Sequence, residues 1–346
     1  MTMTKNGFAG RSVAGCDLIC ELGRGSNGVV YLARQQKLNR QVACKIMAPE
    51  LQDDPDFLDN LFAEAANAAK LSHPNIIQAL DAGDDGGLKY FMMEYVDGDS
   101  LEDIRLNTPE KISTDFLINI SLQLASAMDY AWSEHGMVHG DIKPGNIMVS
   151  RRDQMLKIGD LGLARSSNGA SGDPEEVMIT PLYAPPEIIS QQTSTPDQRS
   201  DIYSFGVMFY ELACGKAPFT GTIEEILHGH LEITPEKLIV MNPDLDMELA
   251  KLIDSMLAKD PADRPADWKS VKQKLMAIKQ KKTAQMPDIG GEMLSGTSKN
   301  MLNTSWAVGK KKHQMFDKFP WLLPALLIII IATALISIPF SLGLFQ

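Results

Sequence analysis

The chain has 346 residues, a formal net charge of −11 and four cysteines. This length allows one large domain of roughly 250–280 residues plus an appendage, and the acidic balance argues against nucleic-acid binding. The cysteines, at positions 16, 20, 44 and 214, form no CxxC pair, which predicts reduced thiols in a cytosolic compartment instead of a disulfide framework. No apolar run precedes Cys16, so no signal peptide is predicted.

Three short strands are predicted over residues 18–46, and a glycine-rich turn separates the first two. The turn contains a GxGxxG pattern at Gly23, Gly25 and Gly28. Glycines also build ordinary tight hairpins, and the dinucleotide-binding form of this pattern requires a strand followed by a helix. Because the residues after Gly28 are strand-forming, the pattern favours a flap whose backbone N–H groups approach phosphates. Lys45, in the third strand, is then either a phosphate ligand or a solvated lysine.

Two helices and a polar loop are predicted next. An apolar stripe predicts a helix over residues 55–70, with Glu64 beside that stripe, and a longer apolar helix covers residues 114–134. The second helix leads to the segment His139–Asn146, which reads HGDIKPGN. This loop contains three polar side chains at spacings that suit phosphate chemistry.

Asp141, Lys143 and Asn146 can converge on one phosphate. A carboxylate can accept a hydroxyl proton, an ammonium group can neutralise the migrating phosphoryl group, and an amide oxygen can ligate Mg²⁺. The same residue types also build turns, and the turn interpretation would be preferred for an isolated segment. Asp160, between Gly159 and a second glycine two residues on, offers another carboxylate nearby, and this favours a phosphoryl-transfer site.

These motifs resemble those of eukaryotic-type protein kinases of the bacterial (Hanks-type) Ser/Thr branch. Seven motifs stand in the family's order: the glycine-rich turn, Val42–Lys45 (VACK), Glu64, His139–Asp141 (HGD for HRD), Asp160–Gly162 (DLG for DFG), Pro185–Glu187 (PPE for APE) and Arg264. The resemblance covers about residues 16–275. It implies an α+β, two-lobed protein-kinase fold with a small β-rich N-lobe and a larger helical C-lobe.

The implied domain organisation combines this fold with the C-terminal apolar segment. The kinase domain is placed at residues 16–282, after an N-terminal extension at 1–15. Within it, the N-lobe covers about 16–93, the hinge 94–98 and the C-lobe about 99–282. A flexible linker at 283–318, a transmembrane helix at 319–340 and a short tail at 341–346 follow.

The resemblance also assigns site residues. Asp141 would orient the substrate hydroxyl and accept its proton, Lys143 would contact the γ-phosphate, and Thr180 would lie between them. Asn146 and Asp160 would bind Mg²⁺, with Mn²⁺ as the alternative ion. The implied ATP-binding residues are Gly23, Gly25, Gly28, Val30, Ala43, Lys45, Glu64, Met93, Glu94, Val96 and Met148.

Within that set, Lys45 would hold phosphates and pair with Glu64, while backbone groups of Glu94 and Val96 would hydrogen-bond adenine. Met93 would back the pocket. The residues implied to enclose the adenine ring are Val30, Ala43 and Met148. Three further residues would be structural: Asp201 would hold the catalytic-loop backbone, and Glu187 and Arg264 would form a buried ion pair.

The implied function is a Ser/Thr protein kinase acting on ATP and protein substrates, because Lys143–Gly145 resembles the Ser/Thr branch. The alternative is a catalytically weak pseudokinase that acts as a signalling scaffold. Such a protein would normally have lost Lys45, Asp141 or Asp160, and all three are present. A small-molecule kinase is a third option, which Thr180 and the PPE ending oppose. A homodimer is left open.

Phe319–Phe340 is the predicted membrane anchor. It holds 22 residues without a charge, about 33 Å as a helix, which is enough to cross a bilayer. Lysines at 310–312 and 318 precede it and no basic residue follows, so the positive-inside bias predicts a single-pass protein of the bacterial inner membrane with a cytoplasmic kinase domain. The alternative, a buried core helix, fits poorly because residues 326–331 are apolar on every face.

Gly140 replaces the arginine that usually precedes the catalytic Asp in this family. A phosphate on the activation segment normally neutralises that arginine and orders the segment. Without the arginine, the sequence predicts only weak dependence of activity on phosphorylation, although Arg165 could substitute. The candidate phosphate acceptors are Ser166, Ser167 and Ser171.

Overall fold

The computed structural model describes residues 7–25, 28–49, 65–108, 112–160, 181–191 and 196–285. All of them lie in the first of the two units into which the chain divides, Met1–Met286 and Pro287–Gln346. Among these residues, no helix is both long enough and apolar enough to cross a bilayer. The predicted span at 319–340 lies outside the described residues.

The N-terminal lobe is built on one antiparallel sheet of six strands. They are β1 (Ser12–Val13), β2 (Cys16–Gly25), β3 (Gly28–Gln35), β4 (Arg40–Met47), β5 (Ala79–Asp85) and β6 (Leu88–Glu94), in the spatial order β1-β2-β3-β4-β6-β5. Side chains alternate between the two faces of a strand, so Val42, Cys44 and Ile46 of β4 all enter one buried apolar cluster. The three strands predicted over residues 18–46 are confirmed, and β1 adds two residues of the predicted N-terminal extension.

The C-terminal lobe is mainly helical. Its helices are α1 (Leu101–Asn107), α2 (Thr114–His135), α3 (Pro186–Ile189), α4 (Gln198–Cys214), α5 (Ile223–Glu232), α6 (Leu238–Met241), α7 (Met247–Met256) and α8 (Trp268–Gln285). A small sheet of β7 (Gly98–Ser100), β8 (Ile147–Ser150) and β9 (Leu156–Ile158) lies in the same lobe. Each lobe has its own buried apolar cluster, so the predicted α+β, two-lobed architecture is confirmed.

The central helix of the C-terminal lobe is α4. Every residue from Ser200 to Ala213 is buried, as expected for a helix enclosed on all sides. The helix begins because the Asp197 side chain accepts a hydrogen bond from the Arg199 N–H, and it ends at Gly215, whose φ is +79°. The helix starts three residues before Asp201, so this carboxylate lies in its first turn.

Residues 75–77 join the two lobes at β9. The Ile158 N–H donates to the Asn75 carbonyl, and the Ile77 N–H donates to the Ile158 carbonyl, both at 2.8 Å. The Asn75 side chain also donates to the Leu156 carbonyl at 2.8 Å and to Gln123 of α2 at 2.9 Å. These contacts fix the start of the segment that leads from β9 to Asp160.

Candidate active site

The loop His139–Asn146 is attached to the first turn of α4 through Asp201. The backbone N–H groups of His139 and Gly140 donate to the two carboxylate oxygens of Asp201, at 2.6 and 2.8 Å. Burial raises the pKa of the Asp201 carboxyl, whereas the two N–H donors act in the opposite direction. Asp201 thereby holds the backbone of this loop next to the first turn of α4.

Gly140 has a φ of +76°, in the left-handed region that L side chains rarely adopt. A glycine at this position lets the two successive N–H groups point at one carboxylate without strain. The residue thus has a conformational reason to be glycine, in addition to the missing arginine side chain noted in the sequence.

His139 links the loop to the residue before Asp160, a role that the sequence analysis missed. Its Nε2 lies 3.1 Å from the Gly159 carbonyl, and the Asp141 N–H donates to its Nδ1 at 3.3 Å. A carbonyl can only accept, so Nε2 carries the proton and the ring is the neutral tautomer. Because His139 is fully buried, it acts as a rigid spacer between the two acidic motifs.

The three predicted side chains of the catalytic loop do come together. Asn146 Nδ2 donates to the Asp141 carbonyl at 2.9 Å and to Asp141 Oδ2 at 3.0 Å. Lys143 Nζ lies 2.6 Å from the same Oδ2, and about a third of each side chain in this ion pair is exposed, 30% for Lys143 and 33% for Asp141. The carboxylate is therefore oriented by two neighbours and still open to a substrate.

Asp160 is held next to this loop by backbone contacts. The Gly159 N–H donates to the Asn146 carbonyl at 2.8 Å, and Asp160 itself has a φ of +52°. A non-glycine residue in this region costs on the order of 1 kcal/mol or more, and such strain is common at functional sites. The two predicted metal ligands, Asn146 and Asp160, thus belong to neighbouring, hydrogen-bonded segments.

One face of the N-terminal sheet carries the predicted nucleotide residues. Directly opposite residues of antiparallel strands share a face. The pairs are Val30–Lys45, Leu32–Ala43, Ala43–Met93 and Lys45–Phe91. This face is opposite the buried cluster of Val42, Cys44 and Ile46. Leu32 and Phe91 are members of it that the sequence analysis did not identify. Met148 lies in the other lobe, on β8, opposite Ser100 of β7.

The three glycines of the GxGxxG turn differ in their surroundings. A Cβ on Gly28 would lie 2.1 Å from the Ile46 carbonyl oxygen, whereas a Cβ on Gly23 or Gly25 would meet nothing within 4 Å. Gly28 is therefore required by the packing of β3 on β4. The sequence predicts that phosphates approach the backbone at all three glycines. For Gly23 and Gly25, this prediction remains the reason for a residue without a side chain.

The hinge contains an ion pair that the sequence did not reveal. The Glu94 carboxylate accepts from Lys157 Nζ, at 2.7 Å to Oε1 and 2.8 Å to Oε2. The Glu94 N–H donates to the Gln78 carbonyl at 2.9 Å, so the carbonyl of Glu94, and not its N–H, is the backbone group suited to adenine. No backbone hydrogen bond among the described residues uses the N–H of Val96, which suits the role predicted for it.

Glu187 and Arg264 form the predicted buried pair. Arg264 Nη1 and Nη2 donate to Glu187 Oε1 and Oε2 at 2.9 and 2.8 Å. Ser200 Oγ donates to the same Oε1 at 2.7 Å. The guanidinium group also lies 4.7 Å from the ring centroid of Tyr203.

Two predicted site residues, Glu64 and Thr180, lie outside the described residues, as does most of the predicted activation segment, namely residues 161–180 of 161–187. Their roles stay predictions. The other predicted positions are described. The structure brings Asp141, Lys143 and Asn146 together in one loop, places Val30, Ala43, Lys45 and Met93 on one face of the N-terminal sheet, and joins Glu187 to Arg264.

Known proteins resemble the chain over this same region. Residues 17–277 match the family model of the protein kinase domain. The chain is 33% identical over 276 residues to the serine/threonine-protein kinase PknB of Mycolicibacterium smegmatis, across 78% of this chain and 43% of that protein. It is 36% identical over 265 residues to PknJ of Mycobacterium tuberculosis, across 74% of this chain and 44% of that protein.

A solved structure is similar as well. The kinase domain of Mycobacterium tuberculosis PknI matches with a TM-score of 0.61 and 26% identity, covering 78% of this chain and 98% of that one. The chain spans less than half the length of either of these two relatives.

Proposed function

Because the chain belongs to the protein kinase domain family, we propose that it is a serine/threonine protein kinase that transfers the γ-phosphate of Mg-ATP to protein hydroxyl groups. The observation that supports this most is the geometry of the catalytic loop. Asp141 is oriented by Asn146 at 3.0 Å and lies 2.6 Å from Lys143, while its carboxylate stays accessible.

In this proposal Asp141 accepts the proton of the substrate hydroxyl as the hydroxyl oxygen bonds to the γ-phosphorus and the bond to the ADP oxygen breaks. Lys143 lies beside that carboxylate, where its ammonium group would stabilise the charge on the transferred group. Lys45 would hold phosphates from the face of the N-terminal sheet. Most of the catalytic effect would come from positioning and charge neutralisation.

The residues present fit a magnesium ion. Asn146 Nδ2 donates twice to Asp141, which makes the amide oxygen the group of Asn146 suited to a ligand. Together with the Asp160 carboxylate, it would hold the ion through oxygen donors, the type that Mg²⁺ prefers. Bound there, Mg²⁺ would supply positive charge to the phosphate oxygens.

The test is to incubate the purified full chain with γ-labelled ATP and Mg²⁺, with and without myelin basic protein. We expect label on serine or threonine of the added protein or of the chain itself. ATP binding without any transfer would contradict the proposal and support the pseudokinase alternative.

We further propose that residues 319–340 anchor the chain in a membrane with the kinase domain in the cytoplasm. The uncharged length of this segment and the lysines that precede it support the proposal. A chain that ends at Gly309 should be released by carbonate extraction, whereas the full chain should stay with the membrane. Full chain recovered in the soluble fraction without detergent would contradict the anchor.

A further inference from the structure

His230, on α5, is fully buried and belongs to none of the kinase motifs. Its Nε2 lies 3.1 Å from the Leu182 carbonyl oxygen, and its Nδ1 lies 2.9 Å from the Tyr203 hydroxyl. The carbonyl can only accept, so Nε2 carries the proton and Nδ1 accepts from Tyr203. A single neutral tautomer satisfies both contacts.

The groups around His230 keep its ring neutral. Lys259 Nζ donates to the carbonyls of Gly229 and His230 at 2.7 Å each, and the rings of Tyr203 and Phe219 lie 5.7 and 5.0 Å from the imidazole. Burial, reinforced by the charge of Lys259, lowers the pKa of His230 to about 4, although the contact with the Leu182 carbonyl opposes this shift. The ring thus remains a donor at Nε2 and an acceptor at Nδ1 at neutral pH.

Leu182 lies in a short turn, Pro181–Tyr183, which directly follows Thr180. Two contacts join this turn to α4: the Tyr183 hydroxyl donates to Glu211 Oε2 at 2.6 Å, and Ser204 Oγ donates to the Tyr183 carbonyl at 2.9 Å. The His230 ring adds a contact from α5 to the Leu182 carbonyl. Leu182 is one residue closer to Thr180 in the sequence than Tyr183 is. The turn is therefore held on two sides by different helices.

We infer that His230 is a positioning residue that holds the Leu182 carbonyl and thereby sets the segment on which a protein substrate is presented to Asp141. The inference rests on the proposed kinase function and on the role that the resemblance implies for Thr180, the residue before this turn. Since Val30, Ala43, Lys45 and Met93 lie on the sheet of the other lobe, loss of this contact should weaken protein-substrate binding and leave ATP binding unchanged.

Two substitutions at His230 separate its contacts. In His230→Gln, the amide nitrogen can occupy the place of Nε2 and still donate to Leu182. In His230→Asn, the shorter side chain reaches only the place of Nδ1, so the contact with Leu182 is lost. His228→Asn is a matched control, because His228 is exposed on the same helix.

The full chain and its three variants would be compared by KM for myelin basic protein, KM for ATP, and hydrogen exchange of residues 182–189. One hydrogen bond corresponds to about a five- to tenfold effect. We expect His230→Asn to raise the KM for myelin basic protein by about that factor and to speed exchange in the segment. His230→Gln and His228→Asn should remain near the parent, and KM for ATP should not change.

Equal effects of His230→Asn and His230→Gln would overturn the inference, since ring volume would then matter more than the contact with Leu182. A parallel rise in KM for ATP would also overturn it. Hydrogen exchange needs no activity: if the parent transfers no phosphate, the proposed function fails, and faster exchange in His230→Asn alone still supports the positioning role.

Discussion

Replacement of Arg264 by alanine should be strongly destabilising. The Arg264 side chain has no exposed surface and the Glu187 side chain is 8% exposed. All five N–H groups of the guanidinium donate, to the Glu187 carboxylate and to three backbone carbonyls, those of Ala258, Arg199 and Lys259. Without the arginine, the buried carboxylate retains one hydrogen-bond donor among the described residues, the Ser200 hydroxyl. Breaking one half of a buried pair costs about 3–5 kcal/mol.

The assay is equilibrium urea unfolding of the purified chain, followed by fluorescence. Arg264→Lys should fall between the parent and Arg264→Ala, because lysine retains the charge but has three donors in place of five. Arg199→Ala is a matched control: Arg199 pairs with Asp197 at 2.6 Å, and these side chains are 37% and 35% exposed, so its loss should cost at most about 1 kcal/mol. A cost for Arg264→Ala no larger than for Arg199→Ala would refute the reasoning.

Three further predictions concern pH, backbone strain and regulation. The pKa of His230 is lowered from 6.5 to about 4, so the unfolded chain takes up this proton at a higher pH than the folded chain. The free energy of unfolding should therefore fall as the pH drops through that interval. His230→Gln should reduce the slope of the free energy of unfolding against pH between pH 7 and 4.5. Gly140→Ala should lower the free energy of unfolding by about 1–2 kcal/mol because of the positive φ. Gly25→Ala should change the melting temperature little, because a Cβ at that position would meet nothing within 4 Å. Gly140 carries no charge that could bind a phosphate, so simultaneous alanine substitution of Ser166, Ser167 and Ser171 should change the rate of single-turnover transfer less than about tenfold. A loss of about a hundredfold, 2.7 kcal/mol, would contradict this prediction.

The parts of the site that lie close together in the sequence could be predicted from it. Asp141, Lys143 and Asn146 sit within one loop, so their spacing alone places them together, and the alternation along β4 sets which of its side chains face the core. The period of a strand and the length of a loop are local properties. They need no knowledge of the tertiary fold.

Contacts between distant residues were missed for the corresponding reason. Lys157 meets Glu94 across 63 residues, and His230 meets Leu182 across 48, and nothing in either local sequence indicates a partner. The Glu94 N–H of the hinge already donates to the Gln78 carbonyl. This contact also depends on how β5 and β6 pair, which the local sequence does not reveal. The need for a glycine at position 28 is visible only when the position of β4 is known, because the Ile46 carbonyl of that strand leaves no room for a Cβ.

The central claim is that Asp141 is the base of a phosphoryl-transfer site, and single-turnover transfer by Asp141→Asn tests it most directly. The amide is nearly the same size but cannot take up the proton, so we expect a loss of about 10²–10⁴-fold in transfer, with ATP affinity almost unchanged. Asp153→Asn, at an exposed turn, is the control and should transfer phosphate at the parent rate. Equal transfer rates for Asp141→Asn and the parent chain would contradict the claim.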